Sequence, residues 1–345
     1  MRRFMLLAST VLAACNRPQS AKPTAVRLDP HPLKTAIVIA SSEDPVGVTG
    51  SGIVIARVSP VGPDTGYRLF DSTGQSLGPS MVPAIGIWLA GDDGVLHTLA
   101  PQALGITSVN HDGTAGPTYS LKEPGILRGI SKDSADLMRP AIDGFTVVRV
   151  ALDGSGQRVV VDAKGPKLQD LFGVKNGVFR DQGALPSSTT TADRIIIGNG
   201  QKYRIQIYSA KGEFISEFGR TLPATHPTER QIETELSQIA QSQKLSGQYL
   251  AMVRKQLAAA PQAFFTAAQG FRVDGAGRLW VVGYEADSAF ADVFRDTTFV
   301  SRFSLPCPSF DGQWDLKGDW LAIGCGDHNP GKPTGEVQLY RIGSR

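Results

Sequence analysis

The chain has 345 residues, with 35 lysines and arginines against 32 aspartates and glutamates, and with 38 glycines and 22 prolines spread along its length. A nearly neutral surface without a lysine or arginine stripe argues against a nucleic-acid partner, and dispersed turn formers fit one large all-β domain. Among three cysteines and five histidines there is no C-x-x-C pair and no H-E-x-x-H helix, so the common sequence-local zinc sites are absent.

The chain begins with basic Arg2 and Arg3, then an apolar run from Phe4 to Leu12 that is too short to span a bilayer, then Leu12-Ala13-Ala14-Cys15. This stretch resembles a bacterial lipobox. The resemblance implies that residues 1–14 are a lipoprotein signal peptide and that Cys15 becomes a diacylglyceryl-modified, N-acylated first residue. Several acyl chains anchor stably where one is marginal. Asn16, in place of the aspartate that retains some lipoproteins at the inner membrane, implies the outer membrane in a Gram-negative host. The expected location is therefore the cell envelope, at the periplasmic face or surface of that membrane. Residues 15–33, with Pro18, Pro23, Pro30 and Pro32, read as a lipidated, extended tether to a folded domain at 34–345.

Within that domain, β-branched and alternating runs predict strands at Thr35–Ala40, Ile53–Val58 and Tyr67–Phe70. Further strands are expected at Ile85–Leu89, Val95–Leu99, Ile106–Val109, Phe145–Val150, Arg158–Val161, Arg194–Ile197 and Tyr203–Tyr208. From Thr228 to Ala260 the pattern becomes helical, with Ile232, Leu236 and Ile239, then Leu250, Val253 and Leu257, on apolar faces. Thr228 with Gln231 forms a capping-box pair, Ser246 can cap a second helix and Pro261 stops it. A helical hairpin at 226–261 thus interrupts the strands. Phe271–Tyr284, Thr298–Phe303, Gln313–Leu316, Trp320–Ile323 and Glu336–Ile342 return to strand.

One turn recurs. Asp274, Gly277 and Trp280 are spaced Asp, three on to Gly, three on to a large apolar residue, and the spacing returns at Asp71/Gly74/Leu77, Asp153/Gly156/Val159 and Asp162/Gly165/Leu168, and with serine at Ser209/Gly212/Ile215. Aspartate bonds the backbone two residues on, glycine supplies φ > 0, and the apolar residue is expected to return to the buried face. Asp71, Asp112 and Asp153 recur at a propeller-blade period, with Ala115 where the middle copy would carry glycine. These residues predict an all-β fold: a six-bladed β-propeller of four-stranded blades, the N-terminal strand Thr35–Ala40 closing the last blade, and the helical hairpin between blades four and five. The chain resembles the bacterial six-bladed β-propeller lipoproteins related to the NHL-repeat and TolB-like classes. That resemblance implies a fold and carries no catalytic residue with it.

The sequence holds no G-x-S-x-G elbow, Walker loop, dinucleotide fingerprint or EF-hand loop. Its most site-like cluster is Gly326-Asp327-His328-Asn329-Pro330 in the last blade. Glu285, Asp287 and Asp292 are expected on the equivalent loop of blade five. Asp287, Asp327, His328 and Asn329 would form a ligand or metal face, with Ca²⁺ or Zn²⁺ as the ions their donors suit. Asp, Asn and Pro are also ordinary turn residues, and the bland reading stands beside it. His97, inside a strand, reads as a structural or partly exposed side chain. Cys307 and Cys325 are expected to form a disulfide worth about 3 kcal/mol, export having placed them in an oxidising compartment.

The sequence reading is a monomeric envelope lipoprotein without a required cofactor. It is anchored to the membrane through Cys15, and its propeller is a non-catalytic scaffold for a small ligand or an envelope protein. The alternative is a metal-dependent propeller hydrolase of the sugar-lactonase type.

Overall fold

The computed structural model describes residues 26–39, 46–58, 66–80, 82, 88–91, 94–99, 104–141, 144–164, 187–199, 202–223, 226–242, 246–259, 264, 270–285, 288–308, 313–326 and 335–344. The described chain opens with β1 (Val26–His31) and β2 (Val38–Ile39). Blade one is β3 (Gly47–Val48), β4 (Val54–Arg57), β5 (Tyr67–Phe70) and β6 (Ser76–Pro79); blade two is β7 (Trp88–Ala90), β8 (Leu96–Leu99), β9 (Gly105–Val109) and β10 (Ala115–Ser120). Blade three is β11 (Ile126–Ile130), β12 (Ser134–Ala141), β13 (Gly144–Ala151) and β14 (Gln157–Lys164); blade four is β15 (Ser187–Thr190), β16 (Arg194–Asn199), β17 (Arg204–Ser209) and β18 (Phe214–Gly219). Helices α1 (Glu229–Ser242) and α2 (Gly247–Ala259) follow. Blade five is β19 (Phe271–Val273), β20 (Leu279–Glu285), β21 (Ser288–Arg295) and β22 (Thr298–Pro308); blade six is β23 (Trp314–Lys317), β24 (Trp320–Gly326) and β25 (Gly335–Ser344), completed by β1.

The first strands of the six blades, β3, β7, β11, β15, β19 and β23, each touch the next, and β23 touches β3. The ring is closed, and its inner strands surround a central channel. Every described pairing is antiparallel. Links between first and second strands, and between third and fourth, therefore lie at one end of each blade, the turn end. Links between second and third strands, and between blades, lie at the other end, the loop end. The helices sit in the β18–β19 link and so leave the sheets at the loop end.

Closure begins earlier in the chain than the proline-rich composition suggests. Val26–His31, inside the expected tether, pairs residue for residue with β25 from Ser344 to Leu339. Proline is tolerated there because β1 is an edge strand, where Pro30 needs no second ladder. Val26 and Leu28 join the apolar cluster of Trp280, Trp314, Leu321 and Ile342, a burial that an extended tether would forgo. Among the described residues of the predicted Thr35–Ala40 strand, Val38 and Ile39 pair with β25 at its other end, and the Ile37 carbonyl accepts the Val337 N–H.

The turns also correct the expected repeat. In blades one, two and four the third-to-fourth-strand turn closes with the N–H of Asp71, Asn110 and Ser209 donating to the carbonyl of Gln75, Thr114 and Glu213, with Gly74, Gly113 and Gly212 at positive φ. The anchor in blade two is thus Asn110, not Asp112, which lies inside the turn and accepts the Thr114 N–H and hydroxyl. In blade three the anchor is Ala151, with Gly154 rather than Gly156 at positive φ and one extra residue before the ladder resumes. Asp162 lies within β14 opposite Thr146, and Gly165 and Leu168 lie outside the described residues. Asp274 anchors a different hairpin, the first-to-second-strand turn of blade five.

That difference explains the apolar residue three positions beyond each glycine. Trp280, on a second strand, is fully buried, whereas Leu77, Val159 and Ile215, on fourth strands at the rim, are 43%, 58% and 55% exposed. The expected return to the buried face holds only for Trp280. In the rim turns, hydrogen bonds from the Thr73 side chain and from backbone N–H groups hold the Asp71 carboxyl below the usual range, and the Thr114 and Ser155 side chains do the same for Asp112 and Asp153.

The rim glycines also lock blade to blade. A Cβ on Gly212 would lie 1.7 Å from the Val160 carbonyl oxygen of blade three, one on Gly113 2.1 Å from the Pro79 oxygen of blade one, and one on Gly74 2.0 Å from the Thr35 oxygen; at Gly154 the space is open. Gly212→Ala is expected to cost about 2–3 kcal/mol, the strain of a left-handed alanine plus displacement of a neighbouring blade, against about 1 kcal/mol for Gly154→Ala. Urea denaturation of the two variants checks the difference; equal costs would remove the interblade account.

The helical hairpin follows its caps. The Gln231 N–H donates to the Thr228 hydroxyl oxygen and the Thr228 N–H to Gln231 Oε1 at 2.7 Å, while the Tyr249 N–H donates to Ser246 Oγ. Ile232, Leu236 and Val253 are buried between the helices, with Leu250 and Leu257 packed on them. Arg254 bridges Glu229 and Glu233 across the pair. Pro261 and the side chain of Ile239 lie outside the described residues.

Candidate functional site at the turn end of the channel

The inner strand of a blade has one edge paired and one facing the axis, so its unpaired backbone groups and alternate side chains meet in the channel. In blades three, five and six the residue on that side is charged: Arg128 between Leu127 and Gly129, Arg272 between Phe271 and Val273, and Asp315 between Trp314 and Leu316. All three are buried. They line a cavity of about 280 Å³ together with Leu89 and Ala90 of blade two, Thr189, Thr190 and Thr191 of blade four, and Asp274, Gly275, Lys317 and Gly318 from the turns of blades five and six. Because these residues run into first-to-second-strand turns, the cavity lies at the turn end.

Asp315 fastens the inner ring. One carboxylate oxygen accepts Arg272 Nε at 2.7 Å and the other accepts the Val48 N–H at 3.0 Å, satisfying an axis-facing backbone donor of blade one. Arg272 also donates from Nη1 to the Phe271 carbonyl at 2.8 Å, and its guanidinium lies 5.6 Å from the Trp314 ring centroid. Arg128 stands on the neighbouring side of the cavity. Burial, reinforced by the like charge of Arg272, pushes its guanidinium down to about 9. Gly129 lets blade four approach, since a Cβ there would lie 1.5 Å from the Thr190 hydroxyl oxygen.

The wall at blade five is held by the Asp274 turn. Asp274 Oδ1 accepts the backbone N–H groups of Ala276 and Arg278, and Oδ2 accepts Arg278 Nε at 2.6 Å and Trp280 Nε1 at 2.8 Å. The Gly275 N–H donates to the Gly318 carbonyl of blade six, so two turns form one rim. Trp280 stacks on Phe303 at 5.7 Å between centroids, which fixes the turn against the blade core.

Of the residues singled out in the sequence, Cys15, Asp287, Asp327, His328 and Asn329 lie outside the described residues, as do the side chains of Glu285 and Cys307. Asp292 is not on the blade-five loop. It lies within β21, fully buried, and accepts the Tyr203 hydroxyl at 2.5 Å, Arg220 Nη1 at 2.7 Å and Arg302 Nε at 2.6 Å. Burial and the neighbouring Asp292 charge push the Tyr203 phenol well above its ordinary range. This is a lock between blades four and five, further covered by Arg220 over Phe299 and Arg302 over Phe290. His97 is buried in β8 rather than partly exposed. Among the described residues no three His, Cys, Asp or Glu side chains converge as a metal site, and no described helix is long and apolar enough to cross a membrane.

No protein-family model matches the sequence, and no curated protein matches it. Among solved structures, a DUF4221-family protein from Bacteroides vulgatus is similar at 8% identity and a TM-score of 0.50, covering 94% of this chain and 100% of its own. A candidate gluconolactonase (13% identity, TM-score 0.47, 92% and 99% covered) and a streptogramin B lyase (14%, 0.44, 93% and 98%) are also similar. At these identities the likeness to the Bacteroides protein speaks to the fold alone.

Proposed function

We propose that this chain is a cell-envelope lipoprotein, held to the outer membrane through acylated Cys15, whose propeller acts as a monomeric, non-catalytic binding scaffold. The observation that carries the binding role is the polar cavity at the turn end of the channel, to which five blades contribute. Such a site is built on inner strands, the most constrained elements of the ring, as a preorganised receptor requires. The anchor is supported by the sequence Leu12-Ala13-Ala14-Cys15. We propose also that Cys325, on β24 and packed against the core, is bonded to Cys307 on the touching strand β22.

The anchor is tested by labelling cells that express the full chain with a radioactive or clickable palmitate and fractionating them. The native chain is expected in the membrane fraction carrying label, and Cys15→Ser soluble and unlabelled. A Cys15→Ser protein that remains labelled in the membrane would end the lipoprotein reading.

A further inference from the structure

We infer that the turn end of the channel binds a small anion by its oxyanion group, a carboxylate or a phosphoryl, held between Arg128 of blade three and Arg272 of blade five. The inference deepens the binding-scaffold reading and rests on it. Three cationic residues line the cavity, Arg128, Arg272 and Lys317, against the carboxylates of Asp274 and Asp315. Both carboxylates are engaged, Asp274 with Arg278 and Asp315 with Arg272. Arg272 uses Nε on Asp315 and Nη1 on the Phe271 carbonyl, yet its buried Nη2 has no hydrogen-bond partner among the described residues. A buried, unmatched donor on a charged group is costly and is satisfied when an acceptor enters.

An oxyanion is the acceptor that fits. Placed between the two guanidiniums, it accepts from Nη2 of Arg272 and screens the like-charge repulsion between Arg272 and Arg128. The Thr190 hydroxyl, brought close by Gly129, adds a neutral donor to the wall. At about 280 Å³ the cavity falls just under the usual range for drug-sized ligands, which selects a metabolite-sized anion. No bond is made or broken in the binding event.

The test is titration calorimetry on the full chain in non-ionic detergent, with inorganic phosphate and malonate as probes and chloride holding ionic strength constant. One saturable site is expected, for which the probes compete. Arg128→Gln, and Arg272→Lys, which keeps a cation opposite Asp315, are each expected to weaken binding about tenfold or more, as loss of one charge-assisted bond implies. Arg204→Gln, at an exposed site on blade four, should bind as the native chain does. Preference for phosphate assigns a phosphoryl ligand and preference for malonate a carboxylate. The inference is overturned if the native chain saturates with neither probe, or if both channel variants, shown folded by circular dichroism, bind like it. If one variant fails to fold, the other decides. Loss of anion binding with palmitate labelling intact would remove this inference and leave the lipoprotein reading standing.

Discussion

Asp274→Ala is expected to destabilise the protein by about 3–5 kcal/mol, the scale for breaking a buried ion pair by removing one partner. The size follows from what Asp274 holds. Its side chain is fully buried and that of Arg278 is 2% exposed, so alanine would leave a guanidinium in the protein interior without its carboxylate. The same substitution strands Trp280 Nε1 and two turn N–H groups. Asp274→Asn should cost less, because Oδ1 still accepts the turn N–H groups, although the charge is lost and the donor Nδ2 replaces the oxygen that accepts Arg278 Nε and Trp280 Nε1. Guanidinium-chloride unfolding of the three proteins checks the order; equal stability of Asp274→Ala and the native chain would mean that the turn is held by its glycine alone.

Asp292→Ala is the second large effect, expected at about 3 kcal/mol, the lower end of the same range. Asp292 is fully buried, but its partners Arg220 and Arg302 are 27% and 28% exposed and regain part of their hydration when it is removed. The lock joins blade four, through Tyr203 and Arg220, to blade five, through Asp292 and Arg302. The loss should therefore appear as faster hydrogen exchange along β17, β18, β21 and β22 before it appears in blade two. Uniform exchange across all blades would contradict an interblade role. Tyr203→Phe removes one hydroxyl donor to Asp292 without freeing a charge and should cost about 1 kcal/mol.

Much of this architecture is legible in the sequence, and the errors have a common cause. Strand content, the six blades and the capped helical hairpin follow from alternation, helical spacing and the Thr228/Gln231 box. The repeat is ambiguous in sequence because two turns share one spacing. Asp274/Gly277 and Asp71/Gly74 carry the same residues for the same local reason, yet one joins inner strands and the other joins rim strands. Spacing reports the turn, and only tertiary position decides whether the next apolar residue is covered, as Trp280 is and Ile215 is not. Asn110 is hidden beside Asp112 because asparagine makes the same turn without the charge. Val26–His31 looks like linker because an edge strand tolerates prolines that a central strand does not.

The channel residues carry a signal in the sequence that no catalytic motif contains. Leu127-Arg128-Gly129, Phe271-Arg272-Val273 and Trp314-Asp315-Leu316 each place a charge within the first strand of a blade. Alternation puts such a residue on the axis side when its neighbours are core, and a charge there must find a partner or a ligand. Asp315 and Arg272 find each other, and the Nη2 of Arg272 that Asp315 does not use faces the proposed anion.

The most direct test is the position of a bound oxyanion. Crystals of the full chain grown with selenate, a tetrahedral oxyanion with anomalous scattering, should give a selenium peak in the turn-end cavity between Arg128 and Arg272, absent in Arg128→Gln. A cavity without a peak in the native crystals, with selenate bound only on the outer surface, would contradict the account.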